Sequence, residues 1–558
     1  MTTEKNAAEL VFAPLGGLGE IGMNAALYGF GPPGRKKWIL VDCGVAFAGD
    51  DLPGVDLILP DLSFIEEERA NLLGVIITHA HEDHIGAIVD LWPRLRAPIF
   101  ATRFATNLLE IRKLGEPNAP KLPITTVAPG QPFALGAFSC EFVNVAHSIP
   151  ESNALILKTP LGTVVHTGDW KIDPTPLIGR PTDEARLKAA GDEGVLALIC
   201  DSTNVLRDGI SPSETDVAHS LRDIIMASKH RVAVTTFASN VARMRAVAEA
   251  AEANGRQVAV VGRAMDRVVE VSRELGMLDG LKPFLGPEAL QRLPRNKAVV
   301  LLTGSQGEQR AAMARIAFDD HPDLSLASGD RVIFSSRAIP GNEKAINRII
   351  NELVKNDIEV ITDRTHLVHV SGHPRRDELK KMYEWVRPRI AIPAHGEALH
   401  LTEHAAFAKA QNTPQVLRAF NGAMIRLAPG PAEVVDHIRA GRRLKDGDLL
   451  IDLADPTISE RRKLSFVGIV SVAVAIDGKG NIAADPEIAL MGLPPRGKDG
   501  SDMVELVGNA VDQTLESLPR QRRRNADTVE KAVERAVRGA VNQVWGKKPV
   551  CHVLVMEV

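Results

Sequence analysis

The chain has 558 residues, of which 45% are hydrophobic, and a formal net charge of −4. At roughly 100–200 residues per domain, this length indicates several domains with enough apolar material for large cores. The net charge disfavours a protein that coats nucleic acid through overall basicity, although it still allows an enzyme with a basic groove.

A glycine-rich segment near the start has the spacing of a dinucleotide-binding loop. Residues 17–22 read G-L-G-E-I-G, and Asp42 follows 20 residues after the last glycine. That fingerprint requires a helix directly after the glycines. Here an apolar run over 24–30 leads into the turn 31–34 (G-P-P-G) and a second apolar run over 38–41. We therefore predict a β-hairpin and no NAD or FAD site.

The segment 78–84 (T-H-A-H-E-D-H) concentrates metal-binding side chains. Three of the 16 histidines lie within six residues, beside an aspartate, directly after an apolar, β-branched run that predicts a buried strand. Imidazole and carboxylate are ligands for borderline metals, above all zinc. We expect His79 and His81 to reach one ion, and Asp83 and His84 to reach a second. Paired metals are the usual means of cleaving phosphoesters or amides with water.

Three further polar residues follow apolar runs and complete the predicted site: His147, Asp169 and His395. Asp169 comes after a glycine that permits a tight turn, and its two oxygens suit it to bridge both ions. We predict two ligand sets that share Asp169, namely His79, His81 and His147 on one ion and Asp83, His84 and His395 on the other. His166 lies just before that turn, and we expect it to hydrogen-bond elsewhere.

From about residue 202 the pattern changes to alternating helices and strands. The predicted helices include 216–229 and 241–253. The predicted strands are 232–236, 258–261, 299–303, 332–335 and 358–361. This alternation favours a doubly wound parallel sheet.

Three further motifs accompany the ligands: D-S-T-N at 201–204, H-V-S-G-H-P at 369–374 and P-A-H-G-E at 393–397. Together with the ordered ligand set, they resemble the metallo-β-lactamase superfamily and, within it, the β-CASP nucleases. The segments 235–240 (T-T-F-A-S-N) and 303–308 (T-G-S-Q-G-E) are similar to the ribonuclease J family in particular. No ligand of the set is missing, and the resemblance runs from about residue 14 to about residue 430 and more loosely to the C-terminus.

The resemblance implies an activity, cofactors and a substrate. The expected enzyme degrades single-stranded RNA in the 5′→3′ direction from a monophosphorylated end and also cuts internally. It implies two Zn²⁺ per chain, with Mg²⁺ or Mn²⁺ as further metals that support activity. RNA maturation and decay are the expected processes.

The expected fold class is α/β: an αββα metallo-β-lactamase sandwich with an inserted doubly wound β-CASP domain and a small α+β C-terminal domain. The expected limits are 1–205 and 366–440 for the two parts of the metallo-β-lactamase domain, 206–365 for the β-CASP domain, 441–463 for a linker and 464–558 for the C-terminal domain. We expect the active site in the cleft between the first two domains, where ligand sites commonly form.

The catalytic roles fall to three residues. Asp83 is a ligand that can also orient the attacking water. His373 lies in a glycine-containing loop near the metals, and an imidazole that titrates near neutral pH suits protonation of the leaving oxygen. The alternative for His373 is to orient a metal ligand. Asp201 is expected to hold a ligand histidine by its free N–H, or else to cap a helix or turn.

The predicted substrate pocket combines two segments. Backbone N–H groups in glycine-containing turns form anion-binding concavities, and the residues of this loop are His369, Val370, Ser371, Gly372 and His373. The resemblance implies that it holds the terminal 5′-phosphate. Ser239 and Asn240 are expected to assist, and Phe237 either stacks on a base or belongs to the core.

The C-terminal segment has the pattern of a small α+β domain. The predicted strands are 467–476, one near 482, and 550–555, and the predicted helices are 503–518 and 528–544. Arg520, Arg522, Arg523 and Arg524 lie between the two helices. They contact RNA phosphates, or form a solvated loop or a subunit interface. The resemblance implies a homodimer or homotetramer formed through this domain.

The cysteines and the N-terminus bear on the compartment. Four cysteines at 43, 140, 200 and 551 form no C-x-x-C pair, which favours buried free thiols and a reducing cytoplasm. The N-terminus lacks a signal pattern, and no apolar run reaches the roughly 18 residues of a membrane span. We therefore expect a cytoplasmic protein with no membrane association.

Three other functions remain open on the residues alone. A metallo-hydrolase of small esters or lactones has the same ligands, but it does not need an insert of about 160 residues, as the limits above give. An RNA-binding scaffold with an inactive site would lack a ligand. A DNA-directed β-CASP nuclease fits the motifs as well, because the sequence contains no evident reader of the 2′-hydroxyl.

Overall fold

The computed structural model describes residues 7–114, 119–339 and 341–558. The chain forms two compact units: residues up to 47 together with 57–443, and residues 48–56 together with 444–558. No helix in the described parts of the chain is both long and apolar enough to cross a membrane.

Two large mixed sheets form the centre of the first unit. The first sheet has eight strands, in the spatial order Glu433–His437, Ala423–Ala428, Glu9–Gly16, Ala25–Gly31, Lys37–Val41, Leu72–Ile76, Ile99–Ala101 and Ile124–Thr126. The second has seven, in the order Phe133–Leu135, Phe138–Asn144, Asn153–Thr159, Gly162–His166, Ala197–Asp201, Ile390–Ala394 and Gln415–Val416. Two short pairs accompany them: Leu18–Gly19 with Gly396–Glu397, and Ala46–Phe47 with Leu57–Pro60.

The two sheets pack face to face on one apolar core. Phe12 and Ile39 of the first sheet share a buried cluster with Phe142 and Ile199 of the second. Alternate residues of the second sheet point the other way and pack on helices, as Leu198 does. On the outside of the first sheet, Trp38 meets a helix residue, Phe64, edge to face at 5.3 Å between ring centroids. The layers are therefore helix, sheet, sheet and helix, as the αββα prediction required.

The helices of these layers are short. They are Ser63–Glu67, Glu82–Ile85, Ile88–Leu95, Arg103–Leu114, Glu184–Glu193, Arg376–Val386 and Ala398–Ala410, with a 3-10 turn at Arg69–Asn71.

The insert follows the second-sheet strand Ala197–Asp201 and forms a five-stranded, all-parallel sheet. Its spatial order is Gln257–Val261, Ala298–Leu302, Val232–Thr235, Arg331–Phe334 and Glu359–Ile361. Its helices are Glu214–Ala227, Val241–Ala253, Arg263–Glu274, Pro287–Gln291, Ala312–Ala317 and Glu343–Lys355, with a 3-10 turn at Arg295–Lys297. The first strand in sequence lies at the centre, so the chain winds to one edge and then to the other. This confirms the doubly wound prediction.

The second unit is an α+β layer. Its sheet has the order Ile482–Met491, Ile469–Ile476 and Val550–Glu557, with the outer strands antiparallel and parallel to the central one. The helices Met503–Ser517 and Ala526–Trp545 cover one face of the sheet with valines spaced four residues apart, such as Val533 and Val537.

Two details differ from the sequence expectations. The interval 441–463, expected as a linker, contains the strands Arg442–Asp446 and Leu449–Asp452 and the start of the helix Pro456–Val467. Polar and charged residues dominate its sequence, so it lacks the periodic pattern of apolar residues from which buried strands and helices are predicted. The glycine-rich segment leads into the antiparallel strands Ala25–Gly31 and Lys37–Val41, which confirms the predicted hairpin.

Candidate metal centre

The predicted metal ligands all follow the carboxyl ends of strands. The strand Leu72–Ile76 leads to the 78–84 segment, Phe138–Asn144 to His147, Gly162–His166 to Asp169, and Ile390–Ala394 to His395. These ends lie at one edge of the sandwich, where α/β proteins commonly bind ligands. The structure brings all seven side chains together at this edge.

Four of them form the first group: His79, His81, His147 and Asp169. The Nδ1 atom of His81 lies 3.1 Å from Nε2 of His79 and 3.1 Å from Nε2 of His147. Both of these Nε2 atoms lie 3.8 Å from Oδ2 of Asp169.

The second group consists of Asp83, His84, Asp169 and His395. The same Oδ2 of Asp169 lies 3.2 Å from Nε2 of His84 and 3.3 Å from Nε2 of His395. Oδ2 of Asp83 lies 3.2 Å from Nε2 of His395 and 3.6 Å from Nε2 of His84. One carboxylate oxygen, Oδ2 of Asp169, therefore lies in both groups, whereas the sequence analysis expected its two oxygens to bridge the ions.

These donors fit a divalent metal. Ligand atoms about 2.0–2.1 Å from a tetrahedral zinc lie about 3.3 Å apart, which is close to the spacing found here. Within the first group, imidazole nitrogens face one another at 3.1 Å, an arrangement that suits lone pairs directed at one cation. In addition, Oδ1 of Asp169 is buried and has no hydrogen-bond partner among the described residues. A buried carboxylate oxygen without a partner is costly unless a cation satisfies it.

The first group keeps its imidazoles neutral. Burial lowers the pKa of His79 and His147 well below the ordinary value, and it lowers the pKa of His81 to about 4. Neutral imidazole is the form that binds metal.

Carboxylates dominate the second group. Burial alone would lower the pKa of His84 and His395. The carboxylate of Asp169, together with neighbouring carboxylates, has the larger effect and raises the pKa of His84 well above its usual value and that of His395 to about 9. Against the effect of burial, His395 and His84 hold the pKa of Asp169 well below its usual range. Asp169 is therefore an anion at neutral pH and offers the charge that a bound cation needs.

A second set of groups orients the ligand histidines through their other ring nitrogens. Oδ2 of Asp42 lies 2.7 Å from Nδ1 of His84, and Oγ1 of Thr203 lies 2.9 Å from Nδ1 of His395. The carbonyl of Gly372 lies 2.6 Å from Nδ1 of His147. Such partners fix the ring and the tautomer of a metal-binding histidine.

Sequence reasoning missed three of these site residues. Asp42 was considered only within the misleading glycine pattern, although it directly follows the strand Lys37–Val41 at the same edge. Its φ of 62° is a strained value for aspartate and marks a residue held in place by its surroundings. Asn24, whose Nδ2 lies 3.0 Å from Nε2 of His84, and Thr203 gave no signal of their own.

Close backbone approaches account for two glycines. A Cβ on Gly44 would lie 1.7 Å from the carbonyl oxygen of Asp83, and one on Gly372 would lie 2.4 Å from Nδ1 of His147. Only glycine allows the chain to pass this near the ligands.

His373 and Asp201 form a pair beside the metal groups. Oδ2 of Asp201 lies 2.7 Å from Nδ1 of His373, and this carboxylate is buried. Asp201 thus hydrogen-bonds to His373, and ligand atoms of Asp201, His373 and the metal ligand His395 all lie within 4.8 Å of one another. Nδ1 of His373 lies 3.9 Å from Oδ2 of Asp169. Asp201 and Asp169 raise the pKa of His373 despite its burial.

The 369–373 loop lies next to this pair. The Ser371 hydroxyl oxygen accepts hydrogen bonds from Nδ2 of Asn204 at 2.8 Å and from the backbone N–H of His373 at 3.3 Å. His369 is half-buried, and its Nδ1 has no partner among the described residues. Burial and then the Arg243 charge lower its pKa well below the ordinary value. Val370 is buried, and the Gly372 carbonyl serves His147.

The second predicted substrate segment begins a helix. Asn240 is buried and caps the helix Val241–Ala253, with its Oδ1 accepting from the N–H of Arg243 at 2.9 Å. Its Nδ2 has no partner among the described residues. Phe237 and Ser239 are partly exposed. Of the polar atoms predicted to bind substrate, Nδ2 of Asn240 and Nδ1 of His369 are thus buried without a partner.

His166 does not join either metal group. Its Nδ1 lies 2.9 Å from the hydroxyl of Tyr28, and burial lowers its pKa to about 4.

Four protein-family descriptions match separate segments of the chain. The description "Beta-lactamase superfamily domain" matches residues 37–188, and "Ribonuclease J, beta-CASP domain" matches 229–353. "Zn-dependent metallo-hydrolase RNA specificity domain" matches 357–416, and "Ribonuclease J C-terminal domain" matches 456–558.

Relatives of similar length match almost end to end. A ribonuclease J of Sinorhizobium meliloti is 54% identical over 550 residues, covering 99% of this chain and 98% of the relative. A ribonuclease J of Mycolicibacterium smegmatis is 39% identical, covering 98% of this chain and 96% of the relative.

A solved structure supports the fold alone. A protein of unknown function from Enterococcus faecalis superposes with a TM-score of 0.53 at 16% identity, covering 75% of this chain and all of that one. The identity and coverage of the relatives, with the metal-binding cluster at the strand ends, show that this chain belongs to the ribonuclease J family of metal-dependent nucleases.

Proposed function

We propose that this protein is a two-zinc ribonuclease that degrades single-stranded RNA 5′→3′ from monophosphorylated ends and also cuts internally. One observation carries the proposal: two groups of ligand atoms share Oδ2 of Asp169, while Oδ1 of the same carboxylate is buried without a partner. The proposed ligands are His79, His81 and His147 on one ion, Asp83, His84 and His395 on the other, and Asp169 on both. The donor set consists of imidazole nitrogens and carboxylate oxygens, which suits zinc, with Mn²⁺ or Mg²⁺ as further candidates.

When bound, the ions would supply Lewis acidity to the scissile phosphate and a lowered pKa for the attacking water. Asp83 contacts Nε2 of His395 through one carboxylate oxygen, Oδ2, and its side chain is partly exposed. We propose that it orients the attacking water. His373 is proposed to protonate the leaving oxygen. Asp201 holds its Nδ1–H, which leaves Nε2 for the substrate, and stabilises the charged ring.

The proposed 5′-phosphate pocket combines the 369–373 loop with Phe237, Ser239 and Asn240. The two unpartnered atoms, Nδ1 of His369 and Nδ2 of Asn240, support an anion as ligand. Burial, and then the charges of Arg243, Arg337 and Lys171, lower the pKa of the His369 ring. Each of these cations is also paired with a carboxylate, namely Glu214, Asp363 and Asp173. A phosphate held there would set the next phosphodiester at the metals, so that the enzyme removes one nucleotide per step.

We also propose that copies of this chain associate through the C-terminal domain. The sheet of the second unit leaves one face without helices, and three large apolar side chains on it are exposed. These are Met491 at 75%, Leu554 at 54% and Met556 at 52%. Leu554 and Met556 are neighbours on this face, and exposed apolar side chains that lie together mark association surfaces. The domain limits given from the sequence are proposals too, with 441–463 now known to contain regular structure.

The test compares RNA ends. The purified protein with Zn²⁺ and Mn²⁺ or Mg²⁺ receives one RNA sequence with a 5′-monophosphate, a 5′-hydroxyl or a 5′-triphosphate, and the matching DNA with a 5′-monophosphate. We expect mononucleotides to be released fastest from the monophosphorylated RNA. Equal rates of degradation of the three RNAs would contradict the proposed 5′-phosphate pocket. Degradation of the DNA as fast as the monophosphorylated RNA would favour a DNA-directed nuclease instead. The His81→Ala variant, purified in parallel, controls for contaminating nucleases.

A further inference from the structure

A group of exposed cations lies on the second unit, on residues that the catalytic chemistry does not use. Arg520, Arg522 and Arg524 are exposed, and Arg523 is partly exposed, in and directly after the short helix Arg520–Arg523. Lys479, also exposed, lies in the turn between the strands Ile469–Ile476 and Ile482–Met491. We call these five residues the arginine patch.

The turn and the short helix touch, so the patch is one surface. A Cβ placed on Gly480 would lie 2.2 Å from the carbonyl oxygen of Arg520 and 3.2 Å from Cγ of Arg524. This contact fixes Lys479, the neighbour of Gly480, beside the arginines. The Nε of Arg523 donates to the carbonyl of Leu518 at 2.9 Å, which ties that guanidinium to the helix joint.

Carboxylates lie near the patch but, among the described residues, do not pair with its arginines. In the described part of the chain, none of its four arginines forms an ion pair, whereas many other arginines do so, including Arg186 with Glu141. The acidic residue nearest in sequence to Lys479 is Asp477, whose carboxylate already accepts from the N–H groups of Lys479 and Asn481 and from Nδ2 of Asn481.

The concentration of charge is unusual for this chain. Its net charge is −4, and without the five cations of the patch it would be −9. Like charges gathered on one surface repel one another and contribute nothing to folding by themselves. A polyanion offers the compensating charge.

The composition of the surface favours nucleic acid over protein as the partner. The residues between and beside the arginines, Pro519, Gln521 and Asn525, are polar or small and exposed. Protein interfaces are centred on buried aromatic or aliphatic anchors, which this surface lacks. Guanidinium groups, by contrast, match phosphate oxygens with paired hydrogen bonds.

We infer that the arginine patch is a second RNA-binding surface of this enzyme, which holds the phosphate backbone of the substrate strand without reading its sequence. The inference rests on the proposed function, since it takes RNA as the ligand. Its contribution is to affinity and to KM on RNA long enough to reach it, and the chemical step at the metals does not depend on it.

The experiment measures the salt dependence of RNA binding. The triple variant Arg520→Gln/Arg522→Gln/Arg524→Gln and its parent both carry His81→Ala, so that the RNA remains intact. Each phosphate contact on a single strand contributes about 0.7 to the slope of log K against log salt concentration, so losing three should make the slope shallower by about 2. At 50 mM salt the affinity for a 40-nucleotide RNA of mixed sequence should fall at least tenfold, and in the catalytically intact background KM should rise while kcat stays unchanged.

A matched control removes the same charge elsewhere. Lys158→Gln/Lys188→Gln/Lys355→Gln neutralises three exposed cations that are already paired with Glu193, Glu184 and Glu352. This variant should keep the parental slope.

Three results would overturn the inference. An unchanged slope in the arginine variant, with the parent binding RNA normally, contradicts RNA binding by the patch but does not affect the proposed ribonuclease function. An equal loss in the lysine control reduces the effect to net charge. If the arginine variant sediments as a different oligomer while its salt slope is unchanged, the patch is a protein interface and not an RNA-binding surface. If the parent itself does not bind RNA, the proposed function fails first.

Discussion

A buried arginine offers the sharpest test of how the insert supports the substrate pocket. Arg243 is fully buried and pairs with Glu214, its Nη2 lying 2.7 Å from Oε2. Its Nη1 donates to the carbonyl of Val368 at 2.6 Å and to Oγ of Ser335 at 2.5 Å. Val368 directly precedes the 369–373 loop, so this one guanidinium fixes the loop to two helices and a strand end of the insert.

Replacing Arg243 by leucine would leave the Glu214 carboxylate buried without its cation. Breaking one side of a buried ion pair costs about 3–5 kcal/mol. For a domain of 150–250 residues, each kcal/mol lowers Tm by about 2–4 °C, so the first unfolding transition should fall by roughly 10 °C. The double variant Arg243→Leu/Glu214→Leu should recover part of the loss, because the unpaired charge is gone.

The assay combines calorimetry with the comparison of RNA ends. A matched control on the same helix is Arg245→Leu, whose pair with Glu249 is partly exposed and should contribute less than about 1 kcal/mol. Arg243→Lys keeps the charge but loses the planar fork. It should keep more stability than Arg243→Leu and still lose preference for the 5′-monophosphate. The reasoning is refuted if Arg243→Leu unfolds at the same temperature as Arg245→Leu. It is also refuted if Arg243→Leu and Arg243→Lys both retain the parental preference for the 5′-monophosphate.

Three further variants address the metal centre and the pocket. His81→Ala should abolish turnover and lower the zinc content by at least one ion per chain, measured by atomic emission, while RNA binding is retained; undiminished activity would mean that the ions are not needed for chemistry. Asp42→Ala removes the group that orients His84, so metal affinity in a chelator competition should fall roughly 10–100-fold, and a wild-type affinity would contradict this role. Ser371→Ala should slow 5′→3′ degradation more than internal cutting, because it loses the hydroxyl next to the proposed phosphate and not a ligand; an equal effect on both, assayed on linear and circular RNA, would count against the pocket.

The sequence predicted the site better than its supports. Seven ligands could be chosen because each follows an apolar run, and the carboxyl ends of such strands meet at one edge. The groups that orient the ligands had no such signal. Thr203 and Asn24 are ordinary polar residues next to strands, and their importance arises only from distances of 2.9 and 3.0 Å to histidines elsewhere in the chain. Spacing along the sequence carries no information about such contacts.

The same distinction holds for the fold. Helix Val241–Ala253 and the strands of the insert were predicted to within two residues, because buried strands and amphipathic helices leave periodic apolar patterns. The strand Arg442–Asp446 was missed because it is short and charged, and Leu449–Asp452 was missed because it has four residues and is only partly buried. Asp201 was placed against a ligand, but it pairs with His373, since the choice between neighbouring histidines depends on side-chain direction.

The topology explains why the candidate metal groups and the proposed substrate pocket lie together. The strands Ala197–Asp201 and Ile390–Ala394 are parallel neighbours in the second sheet. The insert leaves the sandwich after the first and returns before the second. The outgoing connection starts at the carboxyl edge and carries Thr203. The returning connection brings the 369–373 loop to the same edge, and the helix Arg376–Val386 then leads the chain to the start of the second strand. Because both connections are anchored to ligands, through Thr203 to His395 and through Gly372 to His147, a displacement of the insert would reach the metal groups directly. The proposed phosphate pocket and the candidate metal groups are thus parts of one connected structure.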